Sequence, residues 1–201
     1  MSAKFDIKER LSSYMTEHDW KFTEENDHVI SCGVNIKCKL KSLRLLFIIH
    51  KNGYTSYGIC HLNAGEEERN EIMKYLTMAN YGLRNGNFEM DLSDGEIRYK
   101  VYTNLNGLEE VTDDILESSL VVPCLMFDRY GNGLAKLLMG FSDAETEIKE
   151  AEHEEEDMHS LLDKLLRDAL AHKDDADKSG DDCDDDDDDT DGDGEDGSDD
   201  E

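Results

Sequence analysis

The sequence predicts an α+β fold, an antiparallel sheet with helices packed on one side, and three observations predict it. Residues 30–40 set Ile30, Cys32, Val34, Ile36, Cys38 and Leu40 against Ser31, Gly33, Asn35, Lys37 and Lys39, the period-two pattern of a strand with one wet face. Residues 88–101 alternate in the same way on either side of Asp94 and Gly95, which is a hairpin signature. The remaining segments carry apolar residues at helical spacing, and a half-buried sheet needs such helices over its dry face.

The elements follow in order. Phe5, Ile7, Leu11, Tyr14 and Met15 form the apolar stripe of a first helix, which Asp19 and Trp20 end. "WKF", "VISCGVNIKCKL", "LRLLFIIH" and "YTSYGICHL" are separated by "TEENDH", "KS" and "KNG", giving three or four antiparallel strands in a meander. "GEEERNEIMKYLTMANYGL" then opens with acids suited to the positive end of a helix dipole and places Ile72, Tyr75, Leu76, Ala79 and Leu83 on one face. Gly82 stops this helix as a left-handed cap.

Asn85, Gly86 and Asn87 supply the turn into the hairpin. With Asp94 and Gly95 at the centre of a two-residue type I′ turn, the residue numbers of each cross-strand pair sum to 189. Leu92 then faces Ile97, Met90 faces Tyr99 and Phe88 faces Val101, while Asp91 meets Arg98 and Glu89 meets Lys100 on the other side. Asn80, Gly82, Gly86, Asn87, Asp94 and Gly95 are thereby assigned to structure, as turn and cap residues.

Thr112 is placed to cap the next helical segment over Asp113 and Asp114, and Pro123 is expected to divide residues 112–141 into two helices. The second carries Leu125, Met126, Leu134, Leu137, Leu138 and Phe141, with Gly131 and Gly133 marking a loop or a close approach. Ser142 and Glu145 stand at capping-box spacing, so a fresh helix is expected to start there. Its later part bears a wide apolar stripe, Met158, Leu161, Leu162, Leu165, Leu166 and Ala169. Such a stripe requires cover, from its own domain, from a second copy in a homodimer, or from a different protein. Three parts are expected: an α+β domain over 1–142, a C-terminal helical extension over 143–172, and a disordered Asp-rich tail over 173–201.

Charge sharpens that division. Residues 1–150 carry 17 Lys/Arg against 25 Asp/Glu, and residues 151–201 carry 4 against 25, so most of the net charge of −29 lies in the tail. "DDCDDDDDDTDGDGEDGSDDE" has too little apolar surface to offset chain entropy. So acidic a chain repels nucleic-acid phosphates and anionic membranes and attracts basic proteins or, weakly, divalent cations. The longest apolar run, "LRLLFIIH", contains Arg44 and is too short to span a bilayer. Five cysteines without a C-x-x-C, and "MSAKFDIKER" without an apolar signal core, point to a reduced cytoplasmic setting.

Catalytic and ligand motifs fail on inspection. "HEEED", residues 153–157, has Asp where a zincin helix needs its second His, and "YGNGLAK" lacks both the third small residue of a dinucleotide fingerprint and the Gly-Lys-Ser/Thr of a phosphate loop. "DTDGDGEDGSDD", residues 189–200, places Asp189, Asp191, Asp193, Gly194 and Asp200 as a calcium loop would, but Asp196 stands where that loop is hydrophobic. The expectation is an unaided protein, with no cofactor and no catalytic residues.

"MANYGLRNGNFEMDLSDGEIRYK" and, after a spacer, "FDRYGNGLAKLLMGFSDAETEIKEAE" resemble the YbjN-like domain, a bacterial family described as sensory transduction regulators. The matching blocks are Asn80 to Gly82, Gly86 to Asp91, Asp94 to Tyr99 and Asp128 to Gly140. The resemblance implies a fold similar to type III secretion chaperones and brings no catalytic residues with it. The function expected is a non-enzymatic protein-binding module, chaperone-like or regulatory, with Met158, Leu161, Leu162, Leu165 and Leu166 as its partner-binding residues. The alternative is a role driven by the tail, binding divalent cations or basic proteins.

Overall fold

The computed structural model describes residues 6–153. Its elements are α1 (Ile7–Glu17), β1 (Phe22–Asn26), β2 (Val29–Asn35), β3 (Ser42–His50), β4 (Gly53–Cys60), α2 (Arg69–Asn80), β5 (Asn87–Met90), β6 (Ile97–Asn104) and α3 (Asp113–Leu138). Residues 144–153 are helical and are called α4. All six strands form one antiparallel sheet in the order β1-β2-β3-β4-β6-β5. The α+β class and the order of helix, meander, helix, hairpin and helices are as the sequence predicts.

Local chemistry sets the ends of the first helices. Asp6 Oδ1 accepts the N–H groups of Lys8 and Glu9 at 2.9 and 3.1 Å, satisfying two donors that α1 cannot pair internally. Ile7, Leu11, Tyr14 and Met15 are buried beneath it. Tyr81 is the C-cap of α2, and Gly82 takes the positive φ of +94° that follows. On the inner face of the sheet Leu43, Leu45 and Phe47 of β3, Tyr54 and Cys60 of β4, and Ile97, Tyr99 and Val101 of β6 are buried. Phe88 of β5 joins them at the centre of an aromatic group, edge-on to Tyr99, Phe127 and Tyr130 with ring centroids at 4.8, 5.3 and 5.7 Å.

Several local expectations are corrected. β1 runs through Thr23, Glu24, Glu25 and Asn26, part of the expected separator, because Thr23 and Glu24 pair with Ser31 and Ile30 of β2. β2 stops at Asn35, five residues before its alternation does. Lys41 is left-handed (φ 69°), and the loop closes with Ile36 N–H donating to Lys41 O at 2.8 Å. Side chains of α3 hold that loop: Asp128 Oδ1 accepts from Lys37 and Cys38 N–H at 2.6 and 3.0 Å, and Asn132 Oδ1 accepts from Lys39 N–H at 3.0 Å. Cys38 and Leu40 stay buried for this reason rather than through strand pairing.

The hairpin keeps the expected faces but not the expected register. Its pairs are Asn87 with Lys100, Phe88 with Tyr99, Glu89 with Arg98 and Met90 with Ile97, a shift of two residues that preserves side-chain parity. The turn is a four-residue loop, Leu92 to Gly95, closed by Asp91 N–H to Glu96 O at 2.9 Å and Gly95 N–H to Asp91 O at 2.8 Å. Two aspartates favour it. Asp91 Oδ1 accepts from Ser93 N–H at 2.8 Å and Asp94 Oδ1 from Glu96 N–H at 2.9 Å, side-chain turns that a two-residue loop has no room to make. Leu92 is consequently 58% exposed rather than on the inner face.

Pro123 does not divide α3, which is continuous from Asp113 to Leu138. The fixed φ of proline is itself helical and only one i→i−4 bond is lost; the buried ring packs against β4, where a Cβ placed on Gly58 would lie 2.8 Å from Pro123 Cβ. Gly131 and Gly133 lie within the helix and mark close approach: added Cβ atoms would meet Cys38 Sγ at 2.5 Å and Tyr75 Oη at 2.6 Å. Leu125 and Phe141, expected on the apolar face, are 53% and 78% exposed. Asp143 rather than Ser142 caps α4, its Oδ1 accepting from Thr146 N–H at 3.0 Å. The core also continues past residue 142, with Ala144, Ile148 and Ala151 of α4 buried in it.

Candidate interaction surface

Helices lie over one side of the sheet, and the middle of the other side is built of three rows that run across the strands. In the first, Ser31, Leu46, Tyr57, Lys100 and Asn87 stand abreast; in the second, Val29, Ile48, Thr55 and Tyr102; in the third, Gly33, Arg44, Ile59, Arg98 and Glu89. Leu46, Ile48, Tyr57, Ile59 and Tyr102 belong to neither buried cluster, and Tyr102 is 51% exposed. The apolar centre therefore lies on the side away from both buried clusters, with Leu46, Ile48, Tyr57 and Ile59 half-buried among the described residues.

Charged groups rim this centre and hold one another in place. The Arg98 guanidinium lies 4.8 Å from the centroid of the Tyr57 ring, a stacking that leaves its edge available for hydrogen bonds. That edge meets Glu89 at 3.0 Å, and Lys100 meets the other oxygen of Glu89 at 2.9 Å. Burial works to raise the Glu89 pKa, but the hydrogen bonds from Lys100 and Arg98 outweigh it and hold the carboxyl below its ordinary value. At the opposite margin Glu25 accepts from Ser31 Oγ and Arg44, each at 2.6 Å, and is likewise held low by Ser31 first and Arg44 second. His50 Nε2 lies 2.9 Å from Thr55 Oγ1, and the His50 and Tyr102 rings are 6.0 Å apart.

The residues assigned to structure act as follows. Asn80 closes the outer edge of β5: its Oδ1 accepts from Phe88 N–H at 2.7 Å and its Nδ2 donates to Phe88 O at 2.9 Å. Asn87 Nδ2 adds a 3.3 Å bond to the same carbonyl. Gly86 (φ 82°) turns the chain where a Cβ would meet Lys100 O at 2.6 Å. Gly95 (φ 81°) packs against the chain before α2, where a Cβ would lie 2.2 Å from Ala64 O; Asp94 supports the same turn. Met158, Leu161, Leu162, Leu165, Leu166 and the calcium-like stretch lie outside the described residues.

Reactive groups are scarce here. Cys32, Cys38, Cys60 and Cys124 are unpaired thiols. Burial pushes Cys32 and Cys124 up to about 11 and raises Cys38 and Cys60 as well, which suppresses the nucleophilic thiolate. Among the described residues no three His, Cys, Asp or Glu side chains are grouped to hold a metal ion, and no helix is long and apolar enough to cross a membrane. "YGNGLAK" is part of α3, so its glycine N–H groups lie in a helix instead of cradling a phosphate.

The sheet face was not singled out from the sequence, although a signal for it exists. "LRLLFIIH" and "YTSYGIC" carry apolar or aromatic residues at both parities, more than a sheet covered on one side needs.

A one-sided α+β domain with an aromatic outer face is the class of structure these residues build. Residues 8–135 match the YbjN family, described as "Putative bacterial sensory transduction regulator", and the chain belongs to it. A crystal structure of YbjN from E. coli, described as a putative transcription regulator, is similar to this chain with a TM-score of 0.48 and 7% identity, over 64% of this chain and 94% of that one. No curated protein matches the chain.

Proposed function

We propose that this protein is a non-enzymatic regulator that works by binding another protein through the outer face of its sheet. The observation that carries the reading is the apolar and aromatic centre formed by Leu46, Ile48, Tyr57, Ile59 and Tyr102, with Arg98, Lys100 and Arg44 around it. Here Tyr102 is exposed and Tyr57 half-buried, and aromatic residues rimmed by arginine are the composition favoured at protein interfaces. A net charge of −29 disfavours direct contact with nucleic acid. The stripe Met158 to Leu166 is read as an additional protein contact.

Affinity capture from lysate followed by identification of the captured protein tests this. The full chain and a chain truncated at Lys173 should retain the same partner, and Tyr57→Glu should lose it while the variant stays folded by circular dichroism. Loss on truncation with retention by Tyr57→Glu would favour the second reading, in which the acidic tail binds basic proteins or divalent cations. That reading draws on the 25 acids against 4 bases in residues 151–201.

A further inference from the structure

β5 is shorter than the strand it pairs with. Its last pair is Asn87 with Lys100, so Val101–Asn104 have β4 on one side and, among the described residues, no strand on the other. In the register of this hairpin the residue opposite Tyr102 would be Asn85. The chain leaves before that pair forms: Gly86 turns it with φ 82°, and the Asn85 carbonyl accepts the Tyr99 hydroxyl instead. Leu105 N–H bonds to Asn52 O at 2.9 Å on the β4 side, so by the alternation of an antiparallel ladder the backbone groups of Tyr102 and Asn104 point to the vacant side.

A groove of about 380 Å³ lies along this vacancy, between β6 and the first turns of α3. Tyr102, Thr103, Ile115 and Ser118 help to line it, and Asp114 is its one charged lining residue among the described residues. The other sheet edges are guarded. Asn80 closes β5, and β1 presents an irregularity at Glu24/Asn26 with Glu24 bound to Lys8 and Ser12, devices that discourage strand addition.

We propose that this groove receives an extended segment of a partner protein, which adds as a short strand beside Val101–Asn104 and places a Lys or Arg against Asp114. The proposal rests on the protein-binding reading and names the kind of segment bound. Main-chain bonds to Tyr102 and Asn104 supply the attachment and alternate side chains the selectivity, as in other strand-addition sites. A segment of four residues spans about 13 Å, the length of the exposed edge. The Asp-rich end of this chain is a poor occupant, since it would set like charge on Asp114.

The test uses the full chain, amide-resolved hydrogen exchange, and a blocked hexapeptide of alternating Lys and Val. Saturating peptide should slow exchange at Tyr102 and Asn104 roughly tenfold or more. Asp114→Lys and Ser118→Arg should each remove that protection while the chain stays folded by circular dichroism. A hexapeptide N-methylated on every residue, which leaves neither edge able to pair with a strand, should also fail on the unaltered protein. Lysine peptide that binds without protecting Tyr102 and Asn104 has bound the acidic tail, and the proposal is then wrong. Equal protection by an Asp-Val hexapeptide would also overturn it. Tyr57→Glu should keep the peptide effect, so loss of partner capture in that variant reports on the sheet face separately.

Discussion

Asn80 joins the end of α2 to the edge of the sheet through a single side chain, and Asn80→Ala removes both of its bonds to Phe88. The N–H and C=O of Phe88 are satisfied at 2.7 and 2.9 Å in the native protein. Each such bond contributes about 1 kcal/mol net, with a spread of about 0.5, so the substitution should destabilise the domain by about 1–3 kcal/mol. For a unit of this size that is about 2–4 °C of melting temperature per kcal/mol. Asn80→Asp is the diagnostic partner. The introduced carboxylate still accepts from Phe88 N–H but cannot donate to Phe88 O, and it sets negative charge beside that carbonyl. Its deficit should shrink as pH falls and the carboxyl gains a proton to donate. Urea unfolding followed by circular dichroism measures both variants. Midpoints for Asn80→Ala that coincide with the parent's would show the clamp to be energetically idle, and a pH-independent deficit for Asn80→Asp would refute the assigned donor.

Three further outcomes are expected. Gly95→Ala should lower the melting temperature although alanine is small, because φ is 81° and the new methyl would lie 2.2 Å from Ala64 O; an unchanged thermal melt contradicts this. Gly133→Ala should destabilise by about 1–3 kcal/mol through overpacking against Tyr75, despite the gain in helix propensity, and Tyr75→Phe should relieve part of the deficit in a double-mutant cycle. Glu89 has a folded-state pKa below its ordinary value of 4.5, so its contribution is present above about pH 4.5 and is lost as pH falls through the lower folded value. Glu89→Gln should therefore be less stable at neutral pH, and its stability curve, read by denaturant titration at successive pH values, should be flatter in the acid range.

Periodicity made much of the domain legible. Ile7, Leu11, Tyr14 and Met15, then Ile72, Tyr75, Leu76 and Ala79, are buried as their helical spacing requires. Where reading failed, tertiary contacts had overridden local pattern. The alternation through Leu40 continues past the end of β2 because Asp128 and Asn132, about ninety residues further on, hold a loop in place of a strand. Pro123 is a helix breaker by local rule, yet burial against β4 keeps it inside α3. Parity in the hairpin was readable from apolar and charged residues, whereas register depended on Asp91 and Asp94 bonding their own backbone. Neither the sheet face nor the vacant edge beside Tyr102 was read from the sequence. Recognising them required knowing which side the helices take and where β5 stops.

Three buried thiols and one half-buried stand at separated stations: Cys32 on β2, Cys38 in the loop under α3, Cys60 on β4 and the half-buried Cys124 within α3. A thiol that is shielded and held protonated reacts with an alkylating reagent only during the moments when its surroundings part. With Cys183 replaced by Ser, the labelling rate of each remaining cysteine becomes a clock for the opening of its own neighbourhood. A partner seated on the domain should slow some of these clocks and leave others running, and the pattern would map the footprint of binding onto the chain without any added probe.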